Sequence, residues 1–134
     1  MKVYLVFPFL VLLASASPAL VGLGRSCIGT SPFVTTNFVV NPYPPTAGAV
    51  MTGTMSGTFS TDQYISDLAI KTNFNGGKYV VTYVDLDTKY LYGQVYNFVA
   101  NVTAGTAQGL YDVQFLLETK QGSGISCWDF TYHI

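Results

Sequence analysis

Charge is scarce in this chain. Asp, Glu, Lys and Arg make up 10% of its 134 residues, and the formal net charge is −1. Beyond Lys2 the basic residues are Arg25, Lys71, Lys78, Lys89 and Lys120, scattered along the sequence. A nucleic-acid binder needs a basic patch or stripe, so that class is excluded. Histidine is limited to His133, one residue from the C-terminus, where nothing places it beside a Ser and an Asp for a hydrolytic triad. With two cysteines, Cys27 and Cys127, a Cys-rich metal site is excluded. The acidic residues fall on polar faces rather than in a cleft suited to glycoside chemistry. No catalytic residue, cofactor or metal is expected. Asp85 and Asp87 are too few for a calcium site and read as a solvated hairpin tip. Long apolar runs are also missing after residue 13, as is helical periodicity beyond the first residues.

The N-terminus differs from the rest. Lys2 precedes a nearly all-apolar stretch, Val3 to Leu13, and then Ala14-Ser15-Ala16, small residues in the order a signal peptidase accepts. The stretch is roughly 11–12 residues long, whereas a membrane span needs about 20. Residues 1–16 therefore read as a secretory signal peptide, with cleavage after Ala16. The remainder, 17–134, reads as one domain. It is aromatic-rich (15% of the whole sequence) and large enough to bury a core. Two cysteines in a secreted chain suggest one disulfide. Cys27 and Cys127 would close a loop of about 100 residues, for which chain entropy gives at most about 4.7 kcal/mol.

Short alternating segments broken by Gly, Pro, Asn and Asp fill the domain. Phe33 to Asn41 is a strand that stops at Pro42-Tyr43-Pro44-Pro45. Met51, Gly53, Met55, Gly57 and Phe59 share one face of the next strand and Thr52, Thr54, Ser56 and Thr58 the other. The glycines leave room beside the methionines. Tyr64 to Phe74 places Leu68, Ile70 and Phe74 on one face. Asn75-Gly76 then supplies the positive φ angles of a tight hairpin turn. Tyr79 to Val84 is a strand apolar on both faces, and Asp85 to Thr88 a polar turn. Tyr90 to Val102 is a strand bulged at Gly93, with Tyr96, Phe98 and Ala100 in one phase. Gly109 opens a strand with Tyr111, Val113, Phe115 and Leu117 inward, and Ile125 to Ile134 is the last. Seven or so strands at this spacing predict an all-β, immunoglobulin-like, two-sheet antiparallel sandwich. Asn101-Val102-Thr103 is an N-glycosylation sequon.

The ending Ser126-Cys127-Trp128-Asp129-Phe130, with the upstream strand Tyr111 to Leu117, resembles the close of the ML family of secreted lipid-recognition domains. Asn41-Pro42-Tyr43-Pro44-Pro45 sits where that family has a proline-rich turn after its first strand. The resemblance implies that Cys27 pairs with Cys127 and that two sheets splay to admit a lipid. It implies a secreted or endolysosomal lipid-binding or lipid-transfer protein for a sterol, fatty acid or phospholipid. Such a protein is not an enzyme; it would be monomeric and would touch membranes transiently. Relatives often have further disulfides in the proline turn and beside the pocket mouth; this chain has neither. The inward phases supply a lipid-binding wall of Met51, Met55, Phe59, Leu68, Ile70, Phe74, Phe98, Val113, Phe115 and Leu117. Phe115 is the leading member, because the matching family strand faces the ligand there. Flexible methionines suit such a wall. Pattern alone also allows these residues to be plain core of a recognition or adhesion module, and Trp128 to be cover for the disulfide.

Protein secreted from eukaryotic cells is expected to begin at Ser17; N-terminal sequencing reads this directly. A chain that retains Met1 to Ala16 would contradict the assigned leader.

Overall fold

The computed structural model describes residues 20–134; the predicted signal peptide lies outside the described residues. Within them no helix forms, and nine strands follow in order: β1 Leu20–Val21, β2 Arg25–Ser26, β3 Phe33–Asn41, β4 Val50–Phe59, β5 Gln63–Phe74, β6 Val80–Tyr90, β7 Val95–Thr103, β8 Leu110–Glu118 and β9 Gly124–His133. One sheet has the order β1-β3-β4-β7 and the other β2-β9-β8-β5-β6, with every strand pair antiparallel. This is the two-sheet sandwich that the alternation predicts.

Alternation drives the packing. In β4, Met51, Gly53, Met55, Gly57 and Phe59 are all buried, while the intervening Thr and Ser residues are half-exposed. On that outer face Thr52 Oγ1 donates to Asn101 Oδ1 at 2.9 Å and Ser56 Oγ to Asn97 Oδ1 at 2.6 Å. Short hydroxyl side chains thus bind β4 to its neighbour β7 while the apolar face turns inward. The room that the glycines leave is not empty. A Cβ on Gly53 would lie 2.6 Å from Phe115 Cζ, and one on Gly57 would meet the Val34 carbonyl oxygen first and then Phe33 Cζ at 2.7 Å. The Phe115 ring from β8 occupies the first space, and the backbone of β3 together with the Phe33 ring the second.

Three segments differ from the sequence reading, each for a local reason. Asp85 to Thr88 is not a turn. The segment stays inside β6, where a bulge opposes Leu86 and Asp87 to Ser66 of β5. Asp87 takes the left-handed φ of 43° that such a bulge uses, and its carboxylate accepts a hydrogen bond from the Tyr64 hydroxyl. Gly93, with φ 77°, lies in the turn between β6 and β7 rather than within one long strand. Phe74 is 39% exposed, because β5 runs past the core at that point and the ring packs on Tyr111 near the surface, centroids 4.8 Å apart. Asn75 (φ 50°) and Gly76 (φ 71°) form the expected tight turn.

Several bonds bind one side of the sandwich. Cys27 and Cys127 form a disulfide, Cα atoms 5.1 Å apart and 100 residues apart in sequence. Beside it Cys27 N donates to Cys127 O at 3.0 Å. Trp128 Nε1 donates to Leu23 O at 2.8 Å, and Tyr43 from the proline turn donates its hydroxyl to Thr131 O at 2.7 Å. The two sheets approach each other most closely here, along β3 and β9.

Two changes test this packing. Cys127→Ala should lower unfolding free energy by about 2–5 kcal/mol. Gly53→Ala should cost about 1–3 kcal/mol by overpacking, and Phe115→Leu in the same chain should recover part of it. Urea denaturation of the single and double variants measures both; additive losses at 53 and 115 would show that the contact is not the cause.

Candidate functional site

Nine of the ten residues expected to form a lipid wall come together in one buried cluster: Met51, Met55, Phe59, Leu68, Ile70, Phe98, Val113, Phe115 and Leu117. Phe74 stands apart, as described above. The cluster also takes in Phe33, Phe38, Val40, Ile65 and Phe130, which alternation did not collect. For the β3 and β5 residues the reason is a register shift in β3 between Thr35 and Asn37 and another in β5 between Ile65 and Asp67, whereas Phe130 lies on β9 opposite Val113 in regular register. A bulge moves the inward phase by one residue, so Phe33 and Phe38 face inward although an odd number of positions separates them. Paired aromatic spacings across a Thr-Thr-Asn segment were the one available hint.

Aromatic rings fill the middle of this cluster. Phe38 meets Phe115 edge-on with centroids 5.1 Å apart and stacks on Trp128 at 6.1 Å. Phe33 contacts Phe59 at 4.9 Å and Phe98 at 5.4 Å. Trp128 therefore belongs to the aromatic packing as well as lying next to the disulfide. Ser126 is the buried polar residue among the described ones, and the rest of the interior is apolar.

The sheets part on the side opposite the disulfide. There β6 is the outer strand of its sheet and β7 the outer strand of the other. Val80, Thr82 and Val84 lie across from Thr72, Ile70 and Leu68 and share their inward face, yet Val80 is 67% and Val84 37% exposed. A groove of about 260 Å³ lies at this opening, lined by Ile70, Thr72, Thr82, Asn101, Val102 and Thr103. At its other end β6 is closed down: Tyr90 stacks on Phe59 at 5.5 Å and meets Tyr96 edge-on at 4.8 Å. Two further grooves lie on the bound side. One of about 280 Å³ runs between Phe33 and Trp128 beneath the segment 29–31. The other, about 420 Å³, is bordered by Arg25, Tyr43 and Asp129. Of the expected lipid-wall residues, Ile70 alone lines any of the three grooves.

Charged groups stay on the outer faces. Arg25 Nε lies 3.4 Å from Asp129 Oδ1. Burial pushes the Asp129 carboxyl above its ordinary value; Asp112 adds to this and Arg25 opposes it. Glu118 is raised in the same way, by burial first and then by Asp67 directly across the strand pair, with Lys71 opposing. Asp85 and Asp87 lie on β6, and His133 is exposed at the end of β9. Among the described residues no three His, Cys, Asp or Glu side chains gather as metal ligands.

A carboxyl whose pKa is higher in the folded than in the unfolded state favours folding when protonated, and that contribution is lost as pH rises through the folded value. Asp129 and Glu118 therefore add stability as pH falls through their raised folded values toward the ordinary carboxylate range. The urea midpoint should rise over that range, and Asp129→Asn with Glu118→Gln should flatten the rise. A double variant with the wild-type pH response would remove these groups as its source.

No protein-family model and no curated protein sequence matches the chain. Among solved structures, the fold is similar to that of a Niemann-Pick type C2 protein from Japanese carpenter ant, with a TM-score of 0.59 over 84% of this chain and 98% of that one, at 9% sequence identity. The chain thus has the two-sheet sandwich architecture of a Niemann-Pick type C2 protein.

Proposed function

We propose that this protein is a secreted lipid-binding or lipid-transfer protein that holds a sterol, fatty acid or phospholipid between its sheets. The observation that carries the reading is an apolar interior left uncovered along one edge, from Val80 to Val84. A lipid needs apolar walls and few charges, and removing apolar surface from water contributes roughly 25 cal/mol per Å². The fold shared with the Niemann-Pick type C2 protein and the ML-like Cys127-Trp128 ending support the same reading. The mechanism is non-covalent, with no catalytic residue. A lipid moves from a membrane into the opening at β6, and the rings and the flexible Met51 and Met55 rearrange around it. The protein works as a monomer in the secretory or endolysosomal lumen, touches membranes transiently and has no nucleic-acid partner.

A second reading, a recognition or adhesion module with a solid core, draws on the tight packing of Phe115 against Phe38 and over Gly53. Native mass spectrometry and organic extraction of the secreted protein separate the two. The carrier should yield co-purified lipid, and added sterol or fatty acid should stabilise it by about 2.7 kcal/mol at a hundred times the Kd. Lipid-free protein whose melting temperature ignores sterol, fatty acid and phospholipid alike would leave the recognition module standing. Competition between sterol and phospholipid then names the ligand class.

A further inference from the structure

The two sheets hold unequal numbers of strands, four against five. β3 lies against β9, β4 against β8 through Gly53 and Phe115, and β7 against β5 around the groove that Ile70, Thr72 and Val102 line. β6 is left over, with Val80 67% and Val84 37% exposed. The place across from it, beside β7, has room for one more strand. Outer strands are guarded against pairing by shortness, by charge or by a bulge. β1 and β2 have two residues each, and β6 carries a bulge together with Asp85, Asp87 and Lys89. β7 has none of these guards. It runs nine residues in unbroken register with β4 and contains no charged residue and no proline. Among the described residues, none of its backbone groups bonds outside the β4 ladder. Tyr90, stacked on Phe59 and edge-on to Tyr96 and Phe98, closes the Val95 end. The accessible stretch is therefore Val99 to Thr103, where the groove also reaches Thr82 of β6.

We propose that β7 accepts an extended, uncharged peptide segment of a partner protein as a further antiparallel strand along Val99 to Thr103. In strand addition the main-chain bonds supply affinity, and pockets for alternate side chains supply selectivity. Here alternate side chains of the segment turn inward beneath Val80 and Val84 and are apolar. Those between them turn outward and extend the rows that Val99 and Asn101 form with Thr54 and Thr52. Neither Val80 and Val84 nor the residues lining the groove carry a charge, so a charged inward side chain would be desolvated without a partner. A second copy of this chain does not fit. Paired antiparallel through its own β7, it would bring its β5 to the place that β6 already holds. The site stands whether or not the interior takes a lipid.

The full chain is exported to the bacterial periplasm, where the disulfide forms and Asn101 stays bare. The probe is a fluorescein-labelled peptide of alternating threonine and valine with a lysine at each end for solubility, and binding is read by fluorescence anisotropy. Two further forms are N-methylated, one at its valines and one at its threonines, so that each blocks one edge of the extended peptide. The parent should bind with a Kd on the order of 100 µM or below. One methylated form should lose about tenfold or more in affinity, and the other should bind like the parent. Amide exchange within residues 99–103 should slow when the parent is added. Val80→Asp should weaken binding by about tenfold, and Val34→Asp, at a similarly exposed position on β3, should not. Equal melting temperatures of the two variants show that folding is not the cause. No binding of the parent at about 1 mM overturns the proposal. So do equal affinities of the two methylated forms, or equal effects of Val80→Asp and Val34→Asp.

Discussion

The contact on which the rest of the structure depends is the meeting of Phe115 with Gly53 across the sandwich. Phe115 stands at the middle of β8, and Gly53 gives its ring a place against the opposite sheet. That sets how close the sheets come and leaves Phe38 to fill the flank edge-on. Trp128 stacks beyond Phe38, and the disulfide at Cys127 lies one residue away. A bulkier residue at 53 would push β4 from β8 and loosen each of these layers in turn. The bare glycine therefore serves interior packing as directly as any aromatic does.

How much of this was legible in the sequence depends on where alternation stays in phase. In β4 and β8 it runs unbroken, and the inward residues Met51 to Phe59 and Tyr111 to Leu117 are all where period two places them. In β3 and β5 a bulge resets the phase. A residue such as Phe38 then looks outward to any fixed-period reading anchored at Phe33. A polar cluster such as Asp85 to Thr88 was misleading for a related reason. Aspartate tolerates the left-handed backbone conformation, so it serves a bulge inside a strand as readily as a turn between two. Phe74 was lost to a different cause, since alternation gives a face but not the point at which the opposing sheet ends.

The candidate site divides along the same line. Its apolar wall could be read from inward phases, because burial is what those phases encode. The location of the opening could not. It follows from the pairing order, which leaves β6 and β7 as outer strands on the same side, and pairing order is a long-range property that no local pattern records. Val80 to Val84 looked apolar on both faces and so gave no inward direction. In the fold its inner face has no opposing sheet, which is why both faces of an apolar strand remain in water.

The bonds gathered beside β9 give the sandwich the mechanics of a bound book. Tyr43 ties the end of β3 to β9, and the disulfide and Trp128 fasten to β9 the chain on either side of β2, its neighbour in the same sheet, while the fore-edge at β6 packs on the core at Leu86 and Tyr90. A load applied between the sheets meets a stiff hinge on one side and a compliant leaf on the other. Strain from swelling the interior would therefore bend the Val80 end of β6 outward while the disulfide beside β9 stays unstretched. The shape of such a deformation is a wedge, widest at one corner and vanishing at the spine.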